Sequence, residues 1–128
     1  MNRKIISTPK APGAIGPYSQ AVHAGSFLFI SGQISINPAT AELELGDIQT
    51  QTKRVMNNIQ AIVEEAGGSM NNVVKTTIFL KNLSDFNIVN EVYAGYFETE
   101  PPARATVEVS GLPKGVGVEI EAVVFLEK

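Results

Sequence analysis

There is no cysteine in these 128 residues and only one histidine, His23. Disulfides, a thiol nucleophile and thiolate metal sites are all excluded, and a site of several imidazoles cannot be built within one chain. A Ser–His–Asp relay would have to use His23, which reads as an ordinary strand histidine. Positive charge is in short supply too: 10 Lys and Arg stand against 13 Asp and Glu, for a net charge of −3. A broad basic surface for phosphate backbones is not advertised, so the balance argues against nucleic acid as a partner and leaves room only for a small local patch. No apolar run approaches the ~20 residues needed to cross a bilayer. The opening Met1-Asn2-Arg3-Lys4-Ile5-Ile6-Ser7 is polar and is soon followed by Pro9 and Pro12, unlike a signal peptide. A soluble cytoplasmic protein is expected. Repeats and low-complexity segments are missing as well. The glycines around 13–16 and 111–117 have neither the spacing nor the strand–loop–helix order of a phosphate loop.

What is present describes a globular chain, with 44% hydrophobic and 18% charged residues. Its length fits one domain, residues 1–128. Strands are expected at 3–7, 19–24 and 27–31, the last two joined by a turn at Ala24-Gly25-Ser26. Prolines and glycines make 8–18 a structured loop, and 32–46 is mostly loop. Ile48, Thr52, Val55, Met56, Ile59, Ile62, Val63 and Ala66 recur at helical spacing, after Asp47 as cap and before Gly67-Gly68 as exit. A strand follows at 72–80, then a helix from Ser84 as cap to Phe97, with Phe86, Val89, Tyr93, Tyr96 and Phe97 as its buried face. Strands at 103–109 and 117–126 end the chain. The order β-β-β-α-β-α-β-β predicts an α+β domain, with two helices packed on one face of a mixed sheet. Residues 27–30 and 118–126 are apolar on both faces, which points to a partner subunit on the other side.

Several polar residues stand in apolar company. Arg104 follows Pro101-Pro102 on a strand that alternates Ala103, Ala105, Val107 and Val109 with Arg104, Thr106 and Glu108. A guanidinium so fixed is a planar fork of donors suited to a carboxylate or phosphate. Glu119 and Glu121 share a strand face with Val123 and Phe125. Each is paired, exposed at a strand end, or part of a site, and Glu119 adjoins Pro113-Lys114-Gly115, a loop that could frame a cleft. Gly32, after Ser31, either turns the chain or admits a ligand close to the backbone. Asn90, placed on the buried face of the second helix, bonds a nearby loop or a ligand. Tyr18 has an apolar ring and a polar tip, fit for core, interface or pocket.

Taken together, the blocks Ala14-Ile15-Gly16-Pro17-Tyr18-Ser19-Gln20, Ser31-Gly32-Gln33-Ile34, Asn90-Glu91-Val92-Tyr93, Pro101 to Val109, Leu112-Pro113-Lys114-Gly115 and Val118-Glu119-Ile120-Glu121-Ala122 resemble the signature of the RidA family. These are the enamine/imine deaminases, and the resemblance spans nearly the whole chain in order and spacing. It implies a fold like chorismate mutase, assembled as a homotrimer around a central barrel with ligand clefts between subunits. It implies hydrolysis of 2-imino acids such as 2-iminobutanoate and 2-iminopropanoate to 2-keto acids and ammonia, without metal or organic cofactor. By the same resemblance Arg104 binds substrate, Glu119 positions water, Tyr18 lines the pocket, and Ser31, Gly32 and Asn90 contact the ligand. One departure is visible: Thr106 stands where many members have cysteine, leaving a hydroxyl and backbone groups to bind substrate. Ala105, often serine in the family, is a smaller change. An endoribonuclease or translation inhibitor, or a non-catalytic module that binds small carboxylates, are the alternative readings.

Overall fold

The computed structural model describes residues 3–126, and the predicted order of elements is found. The strands are β1 (Arg3–Ile6), β2 (Ala21–Ala24), β3 (Phe27–Gln33), β4 (Val73–Leu80), β5 (Ala103–Glu108) and β6 (Val118–Phe125). The helices are α1 (Ile48–Glu65) and α2 (Phe86–Ala94). One six-stranded sheet runs β1-β2-β3-β6-β4-β5. Every pairing is antiparallel except β4 with β5, which α2 joins as a crossover.

The ends of α1 form as its sequence dictates. The Asp47 carboxylate accepts the Thr50 N–H at 2.8 Å, satisfying a donor that the first turn leaves free. At the other end Gly67 takes φ +91°, and the Gly67 and Gly68 amides bond back to the Glu64 and Val63 carbonyls, both at 3.0 Å. Only glycine adopts that left-handed exit without a steric penalty. The stripe Val55, Met56, Ile59, Ile62 and Val63 is buried against Leu28, Ile30, Ile120 and Val124 of the sheet.

The second helix departs from its predicted bounds. A tight turn at Leu83–Asp85 precedes it, with no side-chain cap, and regular helix stops at Ala94. Gly95, Tyr96 and Phe97 continue in turns closed to the residue three before, so the aromatic rings still reach the core after the helix has ended. The expected packing on one face is found. Leu28, Ile30, Ile78, Leu80, Val118, Ile120, Ala122 and Val124 are buried beneath the helices. On the opposite face Phe27, Phe29, Phe125 and Val107 lie exposed, and Phe27 makes an edge contact with Phe125 at 5.4 Å between ring centres.

Ile120 lies at the middle of the covered face with no exposed surface. Truncation there leaves a cavity that the strands on either side cannot close. Ile120→Ala is expected to cost about 2–5 kcal/mol of unfolding free energy, read from denaturant midpoints at unchanged m-value.

Candidate functional site

The register between β3 and β6 sets the first cluster of polar residues. Between Ile30 opposite Ala122 and Gln33 opposite Ile120, two residues, Ser31 and Gly32, face Glu121 alone. Such a bulge kinks the strand and re-aims its side chains. Gly32 makes room here: a Cβ built on it would displace the carboxylate of Glu119 from its place. The Ser31 hydroxyl donates to the Ser19 carbonyl at 2.6 Å, tying the strand to the loop that carries Tyr18. Tyr18, Ser31, Gly32, Lys114 and Glu119 line one cavity of about 590 Å³, with Ile15 and Ile34 among its apolar walls. The loop Pro113–Gly115 does frame it, and Lys114 takes a left-handed φ of 56° there. Gln51 of α1 holds the end of that loop by accepting the Gly117 N–H at 2.8 Å.

Glu119 is half-buried, and loss of solvent pushes its carboxyl above the usual range, with the nearby Glu121 charge adding to the shift. Among the described residues no hydrogen bond supports its anion. A carboxylate in that state holds a proton more readily than a free one, which is the property a general base needs.

Arg104 belongs to a second cluster. Its Nη1 donates to the Asn90 Oδ1 at 2.7 Å. Its guanidinium carbon sits 5.1 Å from the ring centre of Tyr93 and 5.5 Å from that of Phe86, within cation–π range of both. Tyr93 is fixed in turn by a 2.6 Å bond between its hydroxyl and that of Thr76. Burial pushes the Tyr93 hydroxyl pKa up, against the opposing pull of that bond and of the Arg104 charge. Arg104, Asn90 and Tyr93 line a cavity of about 450 Å³ with Pro101 and Pro102. Among the described residues Arg104 has no carboxylate partner, the ion pair found being Arg54 with Glu44. Thr106 follows on the same face of β5, with a buried hydroxyl that has no hydrogen-bond partner among the described residues.

The two clusters lie on opposite faces of the sheet. Arg104 is level with Thr76, and Thr76 with Ala122. Residues level across a ladder share a face, and Thr76 is buried against α2, so Arg104 is on the helix side. Glu119 is level with Phe79, and Phe79 with Val107, on the open side. Of the seven candidate residues, Tyr18, Ser31, Gly32 and Glu119 come together, and Arg104, Asn90 and Thr106 come together. The single chain does not unite them.

One expectation is corrected. Asn90 is exposed rather than on the buried face of its helix, because α2 turns Val89 and Tyr93 inward and leaves Asn90 at the rim, where it still reaches Arg104. In β5 the apolar residues Ala103, Ala105 and Val107 are exposed, and the partly buried side chains are Arg104 and Thr106. The helices cover the polar face of this edge strand. Three further contributors emerge only in the folded chain. Phe86 and Tyr93, expected in the core, flank Asn90 at helical spacing, which hints at a shared face. Gln20 holds the Tyr18 loop through both ends of its side-chain amide, a role that no local pattern signals. His23 lines neither cavity.

Residues 8–126 match the family model described as Endoribonuclease L-PSP. A RutC family protein of Pyrococcus abyssi is 56% identical over 127 residues, covering 99% of this chain and all of that one. The human 2-iminobutanoate/2-iminopropanoate deaminase is 50% identical over 121 residues, 94% of this chain and 88% of that one. The crystal structure of RidA from the Antarctic bacterium Psychrobacter sp. superposes with a TM-score of 0.92 at 48% identity, covering 96% of this chain and 99% of that one.

The raised Glu119 pKa has a consequence for stability. The folded state prefers the neutral carboxyl, so stability is lost as pH rises from the usual carboxylate range through the raised value. Glu119→Gln is expected to melt above the wild type at neutral pH, with the gap closing in acid. Thermal midpoints of the two proteins across that range test the sign; a gap that widens toward acid contradicts it.

Proposed function

The chain belongs to the RidA family, the family whose model is described as endoribonuclease L-PSP, and we propose that it hydrolyses 2-imino acids, 2-iminobutanoate and 2-iminopropanoate, to 2-keto acids and ammonia. The observation that carries this reading is the Arg104 guanidinium, steadied by two aromatic faces and an amide oxygen and paired with no acid among the described residues. A cation kept in that state is ready for the carboxylate of a small metabolite. The name of the human relative supports the choice of metabolite.

In this reading the working molecule is a homotrimer with a fold like that of chorismate mutase. The open sheet faces, with Phe27, Phe29 and Phe125, line a central barrel and lose their exposure. The Glu119 half of one subunit faces the Arg104 half of the next, which brings together seven residues that one chain holds apart. Arg104 binds the substrate carboxylate through N–H groups not spent on Asn90. Thr106 adds its unspent hydroxyl and backbone groups, and Tyr18 closes the cleft from the neighbouring subunit. The protonated imine carbon is already electrophilic, so the reaction needs neither a metal nor an organic cofactor. Glu119 orients a water and takes its proton as the oxygen bonds to carbon and the C=N electron pair moves to nitrogen. Glu119 then passes that proton to the nitrogen of the carbinolamine, which loses ammonia as its hydroxyl returns a proton to Glu119 and becomes the keto group. A cytoplasmic location belongs to the same proposal.

The family description favours a second reading, cleavage of RNA. Net charge −3 and a single histidine weigh against it, because phosphodiester cleavage calls for cations and acid–base pairs around phosphate. RNA cleavage that follows the purified protein and disappears with a site substitution would put it first. Binding of 2-ketobutanoate without imine hydrolysis would indicate a non-catalytic module instead.

Imine generated in situ by an amino-acid oxidase, and followed as it decays, tests the assignment. Arg104→Ala is expected to lose about 2–5 kcal/mol of substrate and transition-state binding, a fall in kcat/KM of roughly thirty-fold to several-thousand-fold. Full activity in a folded Arg104→Ala protein rejects the anchor. A mixing experiment tests the shared cleft. Arg104→Ala and Glu119→Gln subunits, each expected to be strongly impaired alone, are denatured, combined in equal amounts and refolded. Every mixed trimer then holds one intact cleft, and about a quarter of wild-type activity returns. No recovery would mean that the two residues serve the same subunit or different chemistry.

A further inference from the structure

Tyr18 sits on a loop with few attachments of its own. It is 53% exposed, and Ile15 at the loop tip is 84% exposed. Its backbone amide closes only a local turn, to the Gly16 carbonyl at 2.9 Å, and Gly16 takes φ +117°. The hydroxyl of Tyr18 accepts from the Ile15 amide at 3.4 Å, a contact within the same loop. What ties the loop to the body is Gln20, which is 4% exposed. Its Oε1 accepts the Thr8 N–H at 2.7 Å. Its Nε2 faces the carbonyls of Thr8 at 3.0 Å, Ala11 at 3.2 Å and Pro12 at 2.8 Å. The Gln20 carbonyl accepts the Ser31 amide at 3.0 Å, beside the bond from the Ser31 hydroxyl to Ser19. One side chain therefore satisfies the backbone where the loop starts, while its own main chain is held to the bulge of β3 where the loop ends.

We propose that Gln20 is a positioning residue for the reaction, fixing the loop 8–18 so that Tyr18 stands over the cavity that holds Glu119. Resting on the deaminase reading, it adds a role to Ser31: its hydroxyl hydrogen is spent on Ser19 and its amide on Gln20, so this residue orients the tyrosine loop and can offer the ligand only lone pairs. The chemistry requires an amide at position 20. A carboxylate could accept from Thr8 but would oppose three carbonyl oxygens with no hydrogen to give, and a hydrocarbon would leave the Thr8 N–H and the Ala11 and Pro12 carbonyls without their partner.

The test is a double-mutant cycle read on imine hydrolysis. Gln20→Leu is expected to lower kcat/KM at least ten-fold, chiefly through KM, in a protein whose Tyr18 is intact. In a Tyr18→Ala background the same change is expected to cost less than two-fold, because the group it positions has gone. Equal losses in both backgrounds overturn the proposal and leave Gln20 a residue of general stability. Gln20→Glu, of the same shape, takes the place of Gln20→Leu should that variant fail to fold. Amide hydrogen exchange of the segment 8–18 separates this idea from the deaminase reading. If the wild type hydrolyses no imine, that reading fails, while faster exchange along the segment in Gln20→Glu still supports the anchor. Unchanged exchange overturns it whatever the activity.

Discussion

A β-strand presents successive side chains to opposite faces, and this alternation governs what the chain can and cannot do alone. With β4 paired in its observed register to β5 and β6, Arg104 is committed to the side of the helices and Glu119 to the open side. No choice of rotamer alters that. A slip of one residue in β6 would bring Glu119 round, at the cost of turning Val118, Ile120, Ala122 and Val124 out of the core. The buried stripe of that strand thus fixes the separation of the two polar clusters as firmly as it fixes the fold. The same alternation leaves Phe27, Phe29 and Phe125 on an uncovered face. A second copy of the chain, as in the proposed trimer, answers both facts at once.

Each cluster keeps a charge short of compensation. Arg104 rests on aromatic faces and a neutral amide, contacts that hold a cation in place without neutralising it. Glu119 loses solvent and has Glu121 nearby, so its anion is disfavoured. The Glu119 charge held in this way lowers stability, and the apolar layer between helices and sheet offsets it. In the proposed reaction the unmet demands of both charges are the working parts: the cation seeks a substrate carboxylate, and the base seeks a proton from water. Arrangement of the supporting backbone is equally specific. Gly32 makes room for the carboxylate, and Gln20 and Ser31 hold the loop that carries Tyr18.

Much of this was legible in the residues. Asp47 and Gly67 bound α1 as cap and exit because those functions depend on local backbone geometry alone. The turn between β2 and β3 centres on Gly25, with φ +62°, for the same reason. The loop at Pro113–Gly115 was expected to frame a cleft beside Glu119 and does so. Asn90 and the faces of β5 were harder. The position of Asn90 within α2 follows from periodicity, but whether the rim of that helix is covered depends on what packs there. In β5 an apolar row ordinarily marks the covered face. Here it is the exposed one, because an edge strand paired to β4 must turn Arg104 toward α2 whatever its other side chains prefer.

The sequence by itself determined the elements, their order, the α+β class and, through its motifs, the family, since each of these is written in short-range spacing and residue type. Tertiary structure alone decided that the candidate residues fall into two clusters, that Phe86 and Tyr93 cradle Arg104, and that Gln20 anchors the loop of Tyr18. Those outcomes depend on strand order and register. Such long-range pairings assign a side chain to a face only after strands far apart in the chain have become neighbours.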